Sequence, residues 1–398
     1  MEAVDSIGKR IAEYRKLKGW NQRQLAQAVG YSLSLVEKIE RGVRGVERYS
    51  TLHAFARALG VDVSELTGEV SRNRKQREHA TIPEIRRVMT AIPYVVEDGP
   101  YRPVAELRRD VEAAIAKRES GRFTRFGEDL PVLLEELCRA APSAGDDAAE
   151  IKGLLAETLH GGSMLLRRLG YVDLSWVATQ QARAAATQSN DPLLLIANDW
   201  HIAEFYFRTG NTPGAQRVAE HAIRELEENH LSAESPERAI SLVGTFHLLR
   251  SMAAAQRVER QEVEDAISAA SDAAERNRRD RDDYQSQFGP SNVAVFAVAT
   301  AVEMGDGELA TRRAKRLDTR AIPSRERQAR YLIDVARAYA QTRNDATALK
   351  IISDAHKCAP EYVVNHVMAR EVVAELLERE RRSVTPGLRT LAKKMGVA

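Results

Sequence analysis

The side chains able to attack a carbonyl, transfer a proton or ligate a metal are few and widely separated. The chain has two cysteines, Cys138 and Cys358, and neither belongs to a CxxC motif. None of its nine histidines forms HExxH or lies at ligand spacing from a cysteine, so neither a disulfide framework nor a zinc site is expected. The sequence also lacks a Gly-rich phosphate loop and a GxSxG nucleophile motif. We therefore expect a protein that is not an enzyme and holds no metal or cofactor.

Cationic side chains are instead in excess at the N-terminal end. Residues 1–68 contain 11 basic and 8 acidic side chains, a net charge of +3, and residues 69–80 add four basic and two acidic ones. Because the whole chain carries only +2, the remainder is mildly acidic. A basic end on an acidic body is typical of a protein whose head contacts nucleic acid.

No part of the sequence indicates a membrane segment. No apolar run approaches the roughly 20 residues that a membrane-spanning helix needs. The first five residues, MEAVD, are acidic and lack the apolar core of a secretory signal. We expect a cytoplasmic protein without membrane contacts.

Apolar residues recur at intervals of three and four along nearly the whole chain. Examples are Leu52, Phe55, Ala56 and Leu59 near the start, and Leu332, Val335, Ala336 and Tyr339 near the end. Hairpin signals between alternating β-branched runs are nearly absent. This period is that of amphipathic helices, so the sequence predicts an all-α protein.

Residues 21–42 contain two short helices joined by a sharp turn. Asn21 is placed to cap a helix over residues 22–29, and Gly30 supplies the positive φ that the turn requires. A second helix follows over residues 33–41, with apolar residues six and nine positions after the turn glycine, and it ends at Gly42. This spacing is the helix-turn-helix pattern.

Flanking segments extend the pattern to five helices. A first helix ends at Gly19, a fourth is capped by Ser50 or Thr51, and a short fifth covers residues 63–66. The stretch IGKRIAEYRKLKGWNQRQLAQAVGYSLSLVEKIERGVRGVERYSTLHAFARALGVDVSELTG, residues 7–68, closely resembles the Xre/Cro family of repressor-type helix-turn-helix domains. The resemblance implies a five-helix, lambda-repressor-like head that binds double-stranded DNA.

The resemblance also implies roles for particular residues, because in this family the second helix of the motif enters the major groove. Side chains expected at base edges are Ser32, Leu33, Ser34, Glu37 and Lys38. Those expected at phosphates are Gln22, Arg23, Arg41, Arg44 and Arg48. Family members often carry Gln at the positions of Leu33 and Ser34, so this departure leaves the operator sequence open.

Turn signals recur through residues 101–398 at intervals near 40 residues. They lie at Gly170, Gly210, Gly305 and Arg343, with a further turn expected near residues 255–259, and prolines at 192, 236, 290, 323 and 360 mark other helix ends. Two helices per repeat of this length predict an α-solenoid similar to tetratricopeptide repeats.

This body resembles the tetratricopeptide sensor domains that follow Xre-type heads, including peptide-pheromone receptors of quorum sensing. It more closely resembles regulators of high-G+C Gram-positive bacteria, through FGPSNVAVFAVATAVEMGD, RQARYLIDVARAYAQ and LRTLAKKMGV. The resemblance implies a groove for a peptide or small molecule. Candidate ligand-binding residues are Asn198, Phe288, Asn292 and Asn365, although Phe288 and Asn292 also suit a purely structural helix start, and Trp200, Tyr206 and Phe207 suit the solenoid core.

Together these observations divide the chain into three segments. Residues 1–68 form the DNA-binding head, residues 69–100 a basic linker with a short helix, and residues 101–398 a dimerisation and sensor domain. The expected function is that of a homodimeric transcriptional regulator that binds a palindromic operator and responds to a peptide or small-molecule signal. The alternative is a DNA-bound adaptor whose solenoid binds a partner protein.

Overall fold

The computed structural model describes residues 7–68, 80–91, 100–231, 237–380 and 385–397, and helices dominate every one of these segments. Within these ranges there is no β-strand, and one isolated bridge joins Arg281 to Phe288. The expectation of an all-α fold is therefore confirmed. The basic linker at residues 72–79, the breaker at Asp98 and Gly99, and Pro236 lie outside the described residues.

Five helices form the head, as the sequence predicts. They are α1 (Ile7–Leu17), α2 (Gln22–Val29), α3 (Leu33–Glu40), α4 (Tyr49–Leu59) and α5 (Val63–Thr67). Their apolar stripes meet in one core whose fully buried members are Ile11, Leu25, Val36, Leu52, Phe55 and Leu66. Burial of these side chains is the main force that holds five short helices together, since helices of this length are marginal alone.

Local sequence sets the geometry of the α2–α3 turn. The Asn21 side chain accepts from the backbone N–H of Gln24, whose own side chain accepts from the Asn21 N–H, forming a capping box. Gly30 has a φ of 72° and ends α2, and Ser32 caps α3. The predicted α2–α3 turn is confirmed.

A buried ion pair fixes α3 against α1. Nε and one terminal nitrogen of Arg15 donate to the two carboxylate oxygens of Glu40 at 2.6 and 2.8 Å. The other terminal nitrogen of Arg15 donates to the Trp20 carbonyl at 2.7 Å, and Gln22 donates to Glu40 at 2.8 Å. Both oxygens of the buried Glu40 carboxylate are paired, and these bonds fix the orientation of α3 through its buried side.

The body contains sixteen further α-helices within the described residues. They are α6 (Ile82–Ala91), α7 (Val104–Glu119), α8 (Phe123–Ser143), α9 (Ala148–Arg168), α10 (Val172–Thr187), α11 (Pro192–Arg208), α12 (Thr212–Asn229), α13 (Glu237–Arg257), α14 (Arg260–Asn277), α15 (Pro290–Glu303), α16 (Gly307–Ala314), α17 (Arg325–Gln341), α18 (Asp345–Cys358), α19 (Pro360–Asn365), α20 (Val367–Glu378) and α21 (Leu388–Lys394).

Helices α9 to α18 form five consecutive antiparallel pairs that pack side by side. The tight turn inside each pair contains a residue with positive φ: Gly170, Gly210, Val258, Gly305 and Arg343. These are the five turn positions that the sequence predicts. Pro192, Pro290 and Pro360 each occupy the first position of a helix, where the missing N–H costs nothing.

The curved stack of helix pairs closes on itself. The backbone N–H of Thr124, at the start of α8, donates to the Glu361 carboxylate on α19 at 3.0 Å. The adjacent rings of Phe123 and Tyr362 lie 6.3 Å apart. The early and late helices of the body therefore meet, and the first helix of each pair faces the space that they enclose.

Gly8 allows α1 to approach α3 closely. A Cβ atom added to Gly8 would lie 1.9 Å from the carbonyl oxygen of Ile39. We expect Gly8→Ala to force the two helices apart and to destabilise the head by about 1–3 kcal/mol or more, as overpacking does. Chemical denaturation followed by circular dichroism measures the change.

Gly153→Ala, on α9, is the matched control. Its Cβ would meet only atoms at 3.7 Å or beyond, so alanine should stabilise the chain by up to about 1 kcal/mol through its helix propensity. Equal stability of the Gly8→Ala and wild-type proteins would show that the α1–α3 contact is looser than described.

Candidate nucleic-acid interface

The outer face of α3 presents polar side chains to solvent. Ser32, Ser34 and Lys38 are exposed, and Leu33 and Glu37 are half-buried. Ser34 and Lys38 lie four residues apart and so share one face of the helix. Within the described part of the chain, neither side chain forms a hydrogen bond or an ion pair with another residue.

Ser32 and Leu33, at the N-terminus of α3, make contacts within the head. The Ser32 hydroxyl accepts from the Leu35 N–H at 3.2 Å as the helix cap, and Leu33 packs against the head core. A serine hydroxyl can still donate a hydrogen bond while it accepts one. Ser34 and Lys38 are therefore the side chains of α3 with the greatest freedom to contact another molecule.

The residues expected at phosphates occupy three different environments. Arg23, Arg41 and Arg44 are exposed, and Arg44 pairs with Glu47 at 3.3 Å. The Gln22 side chain instead donates to Glu40 inside the head. Arg48 is half-buried beside Gly305 of the body. The structure thus groups exposed basic side chains with α3 and turns Arg48 toward the body.

Helix α4 begins at Tyr49, two or three residues earlier than the sequence indicates, and its cap comes from the body. The expectation that Ser50 or Thr51 caps this helix is wrong. The carboxylate of Glu303, at the end of α15, accepts from the backbone N–H groups of Tyr49 and Ser50 at 3.3 and 2.8 Å. Glu303 is completely buried. The first backbone N–H groups of α4, which have no acceptor within the helix, thus find one more than 250 residues away in the sequence.

Arg337 completes this buried network. It donates to the Asp334 carboxylate at 2.8 Å and to the Glu47 carbonyl at 2.7 Å, and it lies 3.5 Å from Glu303. Burial lowers the pKa of Arg337, but the carboxylates of Asp334 and Glu303 outweigh burial and hold the pKa above its usual value. The cation therefore stays charged and joins the head to α15 and α17.

A second set of contacts joins α4 to the turn after α11. The His53 ring lies 3.0 Å from the carbonyl oxygen of Arg208, and Arg57 donates to the Gly210 carbonyl at 3.2 Å. Burial lowers the pKa of His53 to about 4, so the ring is neutral at physiological pH. The head is thus held on both sides of α4 while α3 remains exposed.

A cavity of about 170 Å³ lies where the head meets the body. Tyr49, Asp62, Val63 and Ser64 contribute the head side of its wall. The body side comes mainly from the first helices of the repeat pairs, α9, α11, α13, α15 and α17, together with α19. The space enclosed by the solenoid is therefore partly closed by the head.

The four candidate ligand residues occupy different places. Asn292 and Asn365 line this cavity. The carbonyl oxygen of the Asn198 side chain lies 3.0 Å from His160 Nε2 in the interior, and Phe288 is fully buried in the core. The cavity wall thus brings together two of the four candidate residues. Ligand binding by any of the four stays a prediction.

The sequence analysis did not single out the arginines of the cavity wall. They are Arg118, Arg167, Arg168, Arg208, Arg327 and Arg330. Trp200 and Phe207, which the sequence assigns to the solenoid core, also line the cavity. Arginines on the helices that face the enclosed space could have indicated this charged wall in the sequence. Examples are LLRRLG at the end of α9 and RERQAR at the start of α17.

Metal and membrane sites were also sought in the described ranges. There, no three histidine, cysteine or acidic side chains come close enough together to hold a metal ion. None of the helices described has the length and apolar character required to cross a bilayer.

The N-terminal residues are similar to known proteins. A family model described as a helix-turn-helix domain matches residues 6–67. The chain is also similar to an uncharacterized HTH-type transcriptional regulator, YazB, of Bacillus subtilis (strain 168), with 39% identity over 59 residues. That match covers 15% of this chain and 84% of the relative, so it is confined to the head.

Two solved structures are similar over a larger part of the chain but more weakly. BtubC (BKLC) from P. vanneervenii has a TM-score of 0.37 at 17% identity, covering 63% of this chain and 90% of that one. Bacillus thuringiensis PlcR, in complex with the peptide PapR7 and DNA, has a TM-score of 0.29 at 17% identity, covering 69% and 96%. Both TM-scores are too low to establish a shared fold.

The Glu375 carboxylate at the head–body contact makes its stability depend on pH. Burial, and next the charge of Glu47, raise the pKa of Glu375 from 4.5 to about 7, although Arg379, Arg343 and Arg44 oppose the shift. A raised native pKa stabilises the fold most below pH 4.5, and this contribution is lost as the pH rises through about 7. We expect the melting temperature to fall across this range.

Glu375→Gln should flatten this dependence, because the amide cannot ionise. Thermal unfolding measured from pH 5 to 8 checks the expectation, with Glu378→Gln, an exposed carboxylate on the same helix α20, as control. A Glu375→Gln protein with the wild-type pH profile would contradict it.

Proposed function

The chain belongs to the helix-turn-helix transcriptional regulators through its N-terminal domain, and from that premise we propose a homodimer that binds a palindromic operator and senses a signal in its helical body. The observation that carries the proposal is the exposed face of α3. The buried Arg15–Glu40 pair orients this helix, and Ser34 and Lys38 on its outer face have no protein partner in the described ranges. A rigid helix with free polar side chains suits base recognition in the major groove.

Residues 1–68 act as the DNA-binding domain in this proposal, residues 69–100 as a linker with helix α6, and residues 101–398 as the dimerisation and sensor domain. Base contacts are assigned to Ser34 and Lys38, with Ser32, Leu33 and Glu37 beside them. Phosphate contacts are assigned to the exposed arginines Arg23, Arg41 and Arg44. We place the protein in the cytoplasm, where its operator would be found.

Dimerisation follows from the symmetry of palindromic operators. A two-fold dimer presents two recognition helices about one DNA turn apart, and linking two heads can raise the affinity by about 10²- to 10⁴-fold. The body, several times larger than the head, offers the surface for this association.

A signal-binding body is favoured over the adaptor alternative by the form of the cavity. A site for a partner protein would be a long open groove, whereas this cavity is bounded by both head and body and lined by Trp200, Phe207 and Phe296. Because head residues form part of its wall, a ligand that prefers one arrangement of the head would change the affinity for DNA.

Substitutions on α3 and next to it should separate base contacts from phosphate contacts. Lys38→Ala should change sequence preference in a binding-site selection, with a cost of about 1–3 kcal/mol at one base position. Arg44→Ala should weaken all sequences alike and reduce the slope of log affinity against log salt by about 1.

Lys16→Ala is the control for both measurements, because Lys16 is an exposed lysine on α1, outside helix α3. If Lys38→Ala leaves discrimination between sequences intact, the docking of α3 in the major groove is wrong.

The proposed dimer is tested on the full chain by sedimentation. A particle of twice the 44.3 kDa chain mass is expected at micromolar concentration. A monomer that binds a palindromic operator one head at a time, without cooperativity, would overturn the dimeric arrangement while leaving DNA binding in place.

A further inference from the structure

We propose that the cavity between head and body is a binding site for a small organic anion, a carboxylate or phosphate ester with an apolar portion. The inference rests on the proposed function, in which the helical body senses a signal, and it names the chemistry of that signal. Three properties of the wall carry it: an excess of arginine, buried polar atoms without partners, and a set of apolar side chains.

Positive charge exceeds negative charge in the wall. Six arginines line the cavity, against three carboxylates, those of Asp62, Glu204 and Glu326. Glu204 pairs with Arg167 at 2.7 Å and lies 3.5 Å from Arg208. Glu326 is shared in the same way by Arg118 and Arg168. Arg118 also pairs with Glu119 at 3.4 Å. Three glutamates thus serve four arginines, and this group keeps a net positive charge.

The remaining two arginines have no carboxylate of their own. Within the described ranges, no acidic side chain lies within salt-bridge distance of Arg327 or Arg330. Arg327 donates to the Ser286 carbonyl at 3.4 Å, and Arg330 lies over the Phe296 ring at 5.5 Å. Burial, and next the charge of Arg330, lower the pKa of Arg327 to about 10. Crowded cations of this kind are stabilised by an anion placed between them.

Several buried polar atoms in the wall also lack a hydrogen-bond partner. They include Nε of Arg118, one terminal nitrogen each of Arg167 and Arg168, and the side-chain oxygen of Asn292. Arg118 and Asn292 are 2% and 3% exposed. Buried polar groups in proteins are nearly always paired, so these unpaired groups around one cavity, three arginine donors and one amide acceptor, indicate a ligand that forms hydrogen bonds.

Part of the cavity wall is apolar. Trp200, Phe207, Leu249, Met252 and Phe296 contribute their side chains to it. Inorganic phosphate would leave this surface without contacts, whereas an organic anion would place its charged group on the arginines and its apolar portion here. The aromatic side chains therefore favour an organic ligand over a bare inorganic ion.

The same arginines connect the site to the DNA-binding head. The Arg208 guanidinium lies over the Tyr49 ring at 5.7 Å, and Tyr49 is the first residue of α4. Asp62 and Val63 of the head also face the cavity. An anion held here contacts both parts of the chain and so stabilises the docked arrangement of the head. By linkage, it changes the affinity for DNA by the same factor by which DNA changes the affinity for the anion.

The test uses the full-length protein and four probes in low-salt buffer: benzyl phosphate and benzoate as organic anions, and benzyl alcohol and benzylamine as neutral and cationic analogues of similar size. Isothermal titration calorimetry and thermal unfolding are read for each. The two anions should bind and raise the melting temperature, and the neutral and cationic analogues should do neither. Equal binding of benzyl alcohol, or no binding of either anion at millimolar concentration, would overturn the proposal.

Variants of Arg330 locate the site. Arg330→Gln should weaken anion binding about tenfold or more, the loss expected for one charge-assisted hydrogen bond, and Arg330→Lys should retain part of it. Because Arg330→Gln removes an unpaired cation, the ligand-free variant should melt no lower than the wild type. Arg320→Gln, whose side chain is 89% exposed, is the control and should bind as the wild type does.

Operator binding, measured separately, distinguishes this inference from the function on which it rests. A protein that binds DNA but no organic anion retains the proposed function and overturns the inference. A protein that binds the anions at Arg330 but shows no operator affinity, with or without them, retains the site and overturns the regulatory role.

Discussion

The position of the head depends on one buried carboxylate. Glu303 is completely buried at the end of α15, and an unpaired charge in that position would be very costly. Its partners are two backbone N–H groups at the start of α4 and the Arg337 guanidinium. The placement of the head described here satisfies all of them and joins the head to α15 and α17.

That placement determines which surface of the head is free. The N-terminus of α4 would suit a phosphate group, but Glu303 occupies its donors. Helix α3 lies outside this contact, and its Ser34 and Lys38 side chains reach solvent. The contact with the body therefore uses the N-terminus of α4 and leaves the outer face of α3 exposed. In the proposed function, the body can then influence DNA binding without covering α3.

The same electrostatic reasoning connects this contact to the cavity. Both are places where charged side chains leave water, and both use arginine to pair with carboxylates. At the head–body contact the pairing is nearly complete, because Arg337 has Asp334, Glu303 and a carbonyl as partners. In the cavity, six arginines face three carboxylates, and the deficit marks the place for an external anion. One site holds the structure together, and the other leaves room for a signal.

The sequence by itself determined the local features of this protein. Helical periodicity, the Asn21 cap, the glycine turns and the five repeat turns each depend on neighbouring residues, so short-range rules predict them. It also indicated α3 as the helix proposed to contact DNA bases, because spacing within one motif is local. The Glu303 cap of α4, the arginine-lined cavity and the different environments of Asn198 and Asn292 were decided only by the tertiary structure. Each depends on residues far apart in the chain, and no local pattern specifies which distant carboxylate or helix face will meet them.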